Sequence, residues 1–389
     1  MNFLRRKQIF FGLATISIVG GIIIFLWFCV MPHPPQTLLP TYFSYSANET
    51  APLAALSPTA DITLRELLAW DDEMFELISA HHYPDTTASR IYAYLLVAQR
   101  DAATLSYNTF GAYKGNLTSV SKEVLCMLIP DSCAKLTEDL RVGGFPTEDV
   151  YGKMLANIVV PKIALRIDEE RARRAVYPGN IAKDAIGTET AGWKLWILPD
   201  RTQFRATPRV VDFEKSLDVV NKEASLPSDE SKQAIASFVG GQGTKTSAGI
   251  WLEIAGVMLA KERAPLSRAL LLRTNLALAL ADGVVMVFDS KYTVGNDASF
   301  FPQKNGALLD VPDYPNYPGL QAALAGIAEH IIGYYAPEST ATLGQYVRSA
   351  KNATYWAGIN FAMDNEEGYS MGKKIGMNIV EGIRTQEKE

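Results

Sequence analysis

Four histidines, His33, His81, His82 and His330, are all the imidazole this 389-residue chain has for proton transfer or metal binding. Residues 312–321 read PDYPNYPGLQ and run directly into the apolar stretch AALAGIAEHIIGYY. Prolines ahead of a helix start present backbone N–H groups to an anion, yet this loop has no histidine, serine, lysine or arginine to hold or attack one. Lys291, in DSKY, reads either as an anion ligand or as a helix-end lysine favoured by the dipole. Asp282 and Asp289 are seven apart on one helical face, which suits paired carboxylates or structural salt bridges. Asp364, Glu366 and Glu367 suit a metal patch or a solvated acidic turn. His81 and His82 read as surface or capping residues. The GGQGT run (240–244) lacks the Gly-Lys-Ser/Thr that follows in a phosphate-cradling loop. The aromatics Tyr314, Tyr317, Tyr334, Tyr335, Tyr355 and Trp356 read as core packing or as the lining of an apolar pocket.

The elements that must position these residues are helical. Apolar residues recur at helical spacing over 61–82, 84–108, 147–176 (with Pro161 as a break), 228–239, 247–263, 265–292, 318–335 and about 339–384. Strand signals are short and isolated, so the expected class is all-α. The run over 265–292 is almost continuously apolar but carries Arg268, Arg273, Asp282 and Asp289, which favours a buried central helix over a membrane span.

Residues 9–31, IFFGLATISIVGGIIIFLWFCVM, hold no charge and exceed the ~20 residues that cross a bilayer. Bulky residues at their end argue against a cleavable signal peptide. The expected organisation is a cytoplasmic basic tail (1–8), a transmembrane anchor in the inner membrane (9–31), a Pro/Ser/Thr-rich stalk (32–60) and a helical domain (61–389). Arg5, Arg6 and Lys7 hold the N-terminus in the cytoplasm, placing the domain in the periplasm or outside the cell. In such an oxidising space Cys126 and Cys133, in LCMLIPDSCAKL, pair in a short-loop disulfide or stay as two buried thiols. Sequons occur at Asn48, Asn116 and Asn352. A net charge of −5 with no basic stripe argues against nucleic acid as a partner.

Five segments in order, SRIYAYLLVAQRDAA (89–103), SDESKQAIASFVGGQGTKTSAGIW (228–251), NLALALADGVVMVFDSKY (275–292), VPDYPNYPGLQAALAGIAEHIIGYYAP (311–337) and YWAGINFAMDNEEGYSMGKKIG (355–376), resemble the vanadium-dependent haloperoxidase branch of the type 2 phosphatidic acid phosphatase superfamily. The resemblance covers roughly 61–384. It implies an all-α bundle with a site for phosphate or vanadate built from three motifs. These are a Lys with an Arg seven residues on, Pro-Ser-Gly-His at a helix start, and Ser-Arg followed by a His six residues after the Arg, with an acidic residue beyond. Cations and N–H donors there neutralise charge spread over the equatorial oxygens of the transferred group. One His attacks in the phosphatases and another protonates the leaving group.

Matched position by position, the cage is depleted. Lys291 stands for the Lys, but Ala298 is where the Arg belongs. Pro318 matches, while Gly319, Leu320 and Gln321 replace Ser, Gly and His. Ala353 and Thr354 replace Ser-Arg, Asn360 replaces the His, and Asp364 matches the acidic residue. His330 lies nine residues past Gln321, ~13 Å along a helix. Arg348 and Lys351 are the candidate compensating cations. The expectation is therefore a superfamily member without its catalysis, which binds an envelope protein partner or an apolar ligand and needs no cofactor. Two alternatives stand beside it. One is an active phosphatase or haloperoxidase with a rearranged site that takes phosphate or vanadate; the other is a structural subunit of a membrane complex.

Overall fold

The computed structural model describes residues 40–387 apart from 174, 178–184, 209–227, 240–242 and 295–313. The chain divides into residues 1–39 and 40–389. The basic tail, the proposed anchor 9–31 and the first part of the proposed stalk thus lie outside the described residues.

The second unit is all-α. Its helices of ten residues or more are α1 (Leu64–Ala80), α2 (Asp85–Phe110), α3 (Thr118–Leu128), α4 (Cys133–Val142), α5 (Val150–Arg171), α6 (Asp229–Phe238), α7 (Thr246–Lys261), α8 (Leu266–Val294), α9 (Leu320–Tyr335), α10 (Thr340–Trp356) and α11 (Ala362–Gln386). Among the described residues there is no strand, only a bridge between Asp61 and Lys114.

Helix α8 is the axis of the bundle. It is apolar around most of its circumference and buried along most of its length, and a helix of that kind is stable only when enclosed. It packs against α2, α7, α9 and α11. Its length and composition would cross a membrane, but 94% of its most apolar window is buried inside the protein. The polar groups it carries inward are each engaged. Arg273 forks onto Asp71 and reaches Gln99 at 3.1 Å. Asp282 accepts from the backbone N–H groups of Trp196, Ile197 and Leu198 at 2.6–3.0 Å, and burial lifts its pKa to about 6. Asp289 pairs with Arg205 at 2.7 Å. Asp282 and Asp289 thus bind different partners and form no carboxylate pair.

The closest helix packing joins α9 to α11. A Cβ on Gly372 would meet the Ala323 carbonyl at 1.9 Å, one on Gly368 the Gly319 carbonyl at 2.2 Å, and one on Gly326 the Tyr369 carbonyl at 2.7 Å. Gly368, Gly372 and Gly376 recur every four residues, so one face of α11 lacks side chains and lets the two backbones touch.

Four features depart from the sequence expectations. Residues 40–60, assigned to the stalk, are docked on the domain. Asp101 accepts from the N–H groups of Tyr42 and Phe43 at 2.5 and 3.0 Å and from the Tyr45 hydroxyl at 2.9 Å, and Leu53 is fully buried. Helix α5 runs through Pro161 without a break. The carbonyl that the proline leaves unpaired, at Asn157, is on the exposed face, where water serves it. Helices α3 and α4 were not anticipated; the disulfide between Cys126 and Cys133 joins them. The long C-terminal helix is two, because Gly358 adopts a φ of 75° just past the end of α10.

Candidate functional site

Lys291 is near the end of α8, buried, and turned onto the PDYPNYPGLQ loop. Its Nζ donates to the backbone carbonyls of Pro315 at 2.7 Å, Asn316 at 3.0 Å and Pro318 at 2.7 Å. An ammonium has three donors, so none is left for an oxyanion. Nζ also lies 5.1 Å from the centroid of the Tyr314 ring. Burial draws the Lys291 pKa down to about 7, against the opposing attraction of Asp364. The loop is fastened at three further points. Asn316 Nδ2 donates to the Ile359 carbonyl at 2.7 Å, the Tyr317 hydroxyl to the Thr207 carbonyl at 2.5 Å, and the Gly319 N–H to the Asp364 carbonyl at 2.8 Å.

The other wall comes from the end of α10 and the start of α11. The Thr354 hydroxyl and Asn360 Nδ2 both donate to Asn365 Oδ1, at 3.0 and 2.8 Å. The Thr354 carbonyl accepts from the N–H groups of Ile359 and Asn360 at 2.9 and 3.1 Å. Asp364 Oδ2 accepts the Phe361 N–H at 2.9 Å and so caps α11. A Cβ on Gly319 would stand 2.5 Å from Asn365 Oδ1 and 3.0 Å from Asn360 Nδ2. The serine that the superfamily pattern places at 319 therefore cannot coexist with Asn365 in its present position.

The structure thus brings Lys291, Pro318, Gly319, Thr354, Asn360 and Asp364 together in one hydrogen-bonded cluster. Leu320 and Gln321 open α9 beside it, both buried, and the Gln321 side chain makes no hydrogen bond among the described residues. Ala353 is fully buried in α10. Ala298 lies outside the described residues. The candidate cations are not in the cluster: Arg348 is exposed on α10, and Lys351 pairs with Glu366 at 2.6 Å and sits over the Tyr369 ring. His330 bonds the Gly326 carbonyl of its own helix at 3.0 Å, and His81 is held by Ser132. No group of three His, Cys, Asp or Glu side chains among the described residues could hold a metal ion.

Asn316 and Asn365 are the two members of the cluster that the sequence did not single out. Each also keeps one buried polar atom, Asn316 Oδ1 and Asn365 Nδ2, without a protein partner among the described residues. The side chains gathered here are amides, a hydroxyl, the Asp364 carboxylate and the Lys291 amine held on three carbonyls. Amides and threonine neither take up nor release protons near neutral pH, and positions 321, 354 and 360 offer no imidazole or guanidinium. These residues do not fit vanadate either. Its anchoring lysine is committed to carbonyls, and the positions of the serine, one arginine and both histidines carry Gly319, Thr354, Gln321 and Asn360.

No family model matches the chain, and no curated protein sequence does. Solved structures do. A bacterial vanadium-dependent iodoperoxidase aligns with a TM-score of 0.66 at 18% identity, covering 84% of this chain and 98% of its own. A bacterial vanadium-dependent chloroperoxidase in its apo form gives 0.53 at 12% identity over 77% and 92%, and in a holo form 0.51 at 12% over 85% and 95%. At such identities the shared property is architecture: the chain has the helical fold of these vanadium-dependent haloperoxidases.

Proposed function

We propose that this protein is a membrane-anchored, haloperoxidase-fold domain that has given up phosphoryl and halide chemistry and works by binding in the cell envelope. The observation that carries this reading is the three-carbonyl cage around Lys291. The one cation the superfamily pattern leaves in place holds its own loop shut. The amides at 321 and 360 support the same reading, since neither replaces an imidazole as acid, base or nucleophile.

A rearranged catalytic cage would need Arg348 and Lys351 turned inward. Arg348 is exposed and Lys351 is neutralised by Glu366, which weighs against it. The anchor is proposed from 9–31 and its basic flank, and the Cys126–Cys133 disulfide is in keeping with an oxidising location.

The test is to purify the full chain in detergent and assay hydrolysis of a phosphomonoester, and iodide and bromide oxidation by peroxide with orthovanadate added. The expected result is no turnover above buffer. Turnover that saturates with substrate and is lost in Gln321→Ala would overturn the reading.

A further inference from the structure

A cleft of about 630 Å³ lies where α1 runs beside α7. Its floor is Leu64, Leu68, Ala69, Ala260 and Ala264; its rim is Arg65, Asp72 and Arg263. The floor is apolar because Gly256 lets the helices approach, with Leu68 Cδ2 only 3.0 Å from where a Cβ would be. Alanines at 69, 260 and 264 then leave space above the contact.

The rim has unspent charge. Arg65 and Arg263 are exposed, and among the described residues neither guanidinium makes a hydrogen bond or an ion pair. Buried Arg90, Arg166 and Arg273, by contrast, are all tied to carboxylates. Asp72 is the one acidic residue lining the cleft, and it pairs with neither arginine, so the rim is net positive in a chain of net charge −5. Arg263 also has a φ of 49°. Glycine occupies that region without strain and arginine does not, so the backbone gives no reason for a side chain there.

Two forked cations over an apolar floor match an anionic headgroup with a hydrocarbon tail. Guanidinium donors engage phosphate bidentately, and alkyl chain buries against leucine. We propose that this cleft binds an anionic phospholipid, its phosphate between Arg65 and Arg263 and its acyl chain along Leu64 and Leu68. The choice of a membrane lipid rests on the anchor proposed above; the binding itself does not, and it is tested away from the bilayer.

The experiment uses the full chain in a non-ionic detergent, with bound lipid counted by native mass spectrometry during titration with phosphatidylglycerol or phosphatidylcholine. The comparison protein is the double variant Arg65→Ala, Arg263→Gly. Both changes are at exposed positions and the second relieves the positive φ, so the fold is kept, as an unchanged thermal transition would verify. The expected result is that the variant loses affinity for phosphatidylglycerol by about tenfold or more, the least that even one charge-assisted hydrogen bond implies. Phosphatidylcholine should bind both proteins weakly and equally. Equal phosphatidylglycerol binding by the two proteins, or no preference for it over phosphatidylcholine in the wild type, overturns the proposal. Neither result bears on the Lys291 cage, whose failure would appear as turnover in the assays above.

Discussion

Lys291 has the side chain that would neutralise an anion, and it is spent on the backbone. Lys291→Met keeps the stem but strips donors from three buried carbonyls, at a cost of about 3 kcal/mol or more, read as a lowered midpoint in denaturant titration. The pH dependence has a defined sign. The folded pKa is depressed to about 7 from the ordinary lysine value near 10.4. Between these values the unfolded chain holds a proton that the folded chain has released, so this residue makes stability rise with pH across that window. Below about 7 both states are protonated and the slope vanishes. A matched pH series on Lys291→Met should lack that rise; an identical rise in both proteins would assign it elsewhere. A second prediction concerns Gly319 and Asn365. Gly319→Ser should destabilise by about 1–3 kcal/mol through overpacking, and the penalty should shrink by about 1 kcal/mol when Asn365→Ala is already present. Strict additivity would show that the two positions do not compete for space. That positions 321 and 360 carry amides was legible from the sequence alone. The role of Asn365 was not, because a single amide after Asp364 has no spacing signature and meets Gly319 only through tertiary packing.

At the scale of elements, the site is set by how tightly α9 lies on α11. Gly372→Ala would put a methyl within 1.9 Å of the Ala323 carbonyl, forcing the helices apart for about 3 kcal/mol and loosening the Gly319–Asp364 bond. Gly382→Ala, on the same helix with nothing within 4 Å, should instead stabilise by about 0.5–1 kcal/mol through helix propensity. Thermal unfolding of the two variants should move in opposite directions; a shared direction would remove the seam as the cause. Most helices were readable because their apolar residues recur at helical spacing. Helices α3 and α4 were not: both are short, and each buries few apolar side chains. Pro161 misled because helix packing on both sides carries α5 through it, with the freed Asn157 carbonyl on an exposed residue. The close contact at Gly368, Gly372 and Gly376 was not among the sequence expectations, because tertiary packing alone decides which helix it meets.

At the scale of the molecule, a buried apolar axis and a satisfied set of inward charges hold the fold together without a ligand among the described residues. Nothing in the packing of α8 depends on an anion, since Arg273, Asp282, Asp289 and Lys291 all have protein partners. The disulfide acts at this scale too. It closes a loop between residues seven apart in sequence, so Cys133→Ser should cost about 2 kcal/mol by loop entropy, measurable as a lowered unfolding midpoint that reductant reproduces in the wild type. The stalk boundary was misplaced because proline, serine and threonine content says little once aromatic side chains such as Tyr42 and Tyr45 find a buried carboxylate. The central claim, that the anion site has been closed from within, is tested most directly by titrating orthovanadate into the purified full-length chain in a calorimeter at neutral pH. A closed cluster predicts no saturable heat. Saturable binding for which phosphate competes would contradict it.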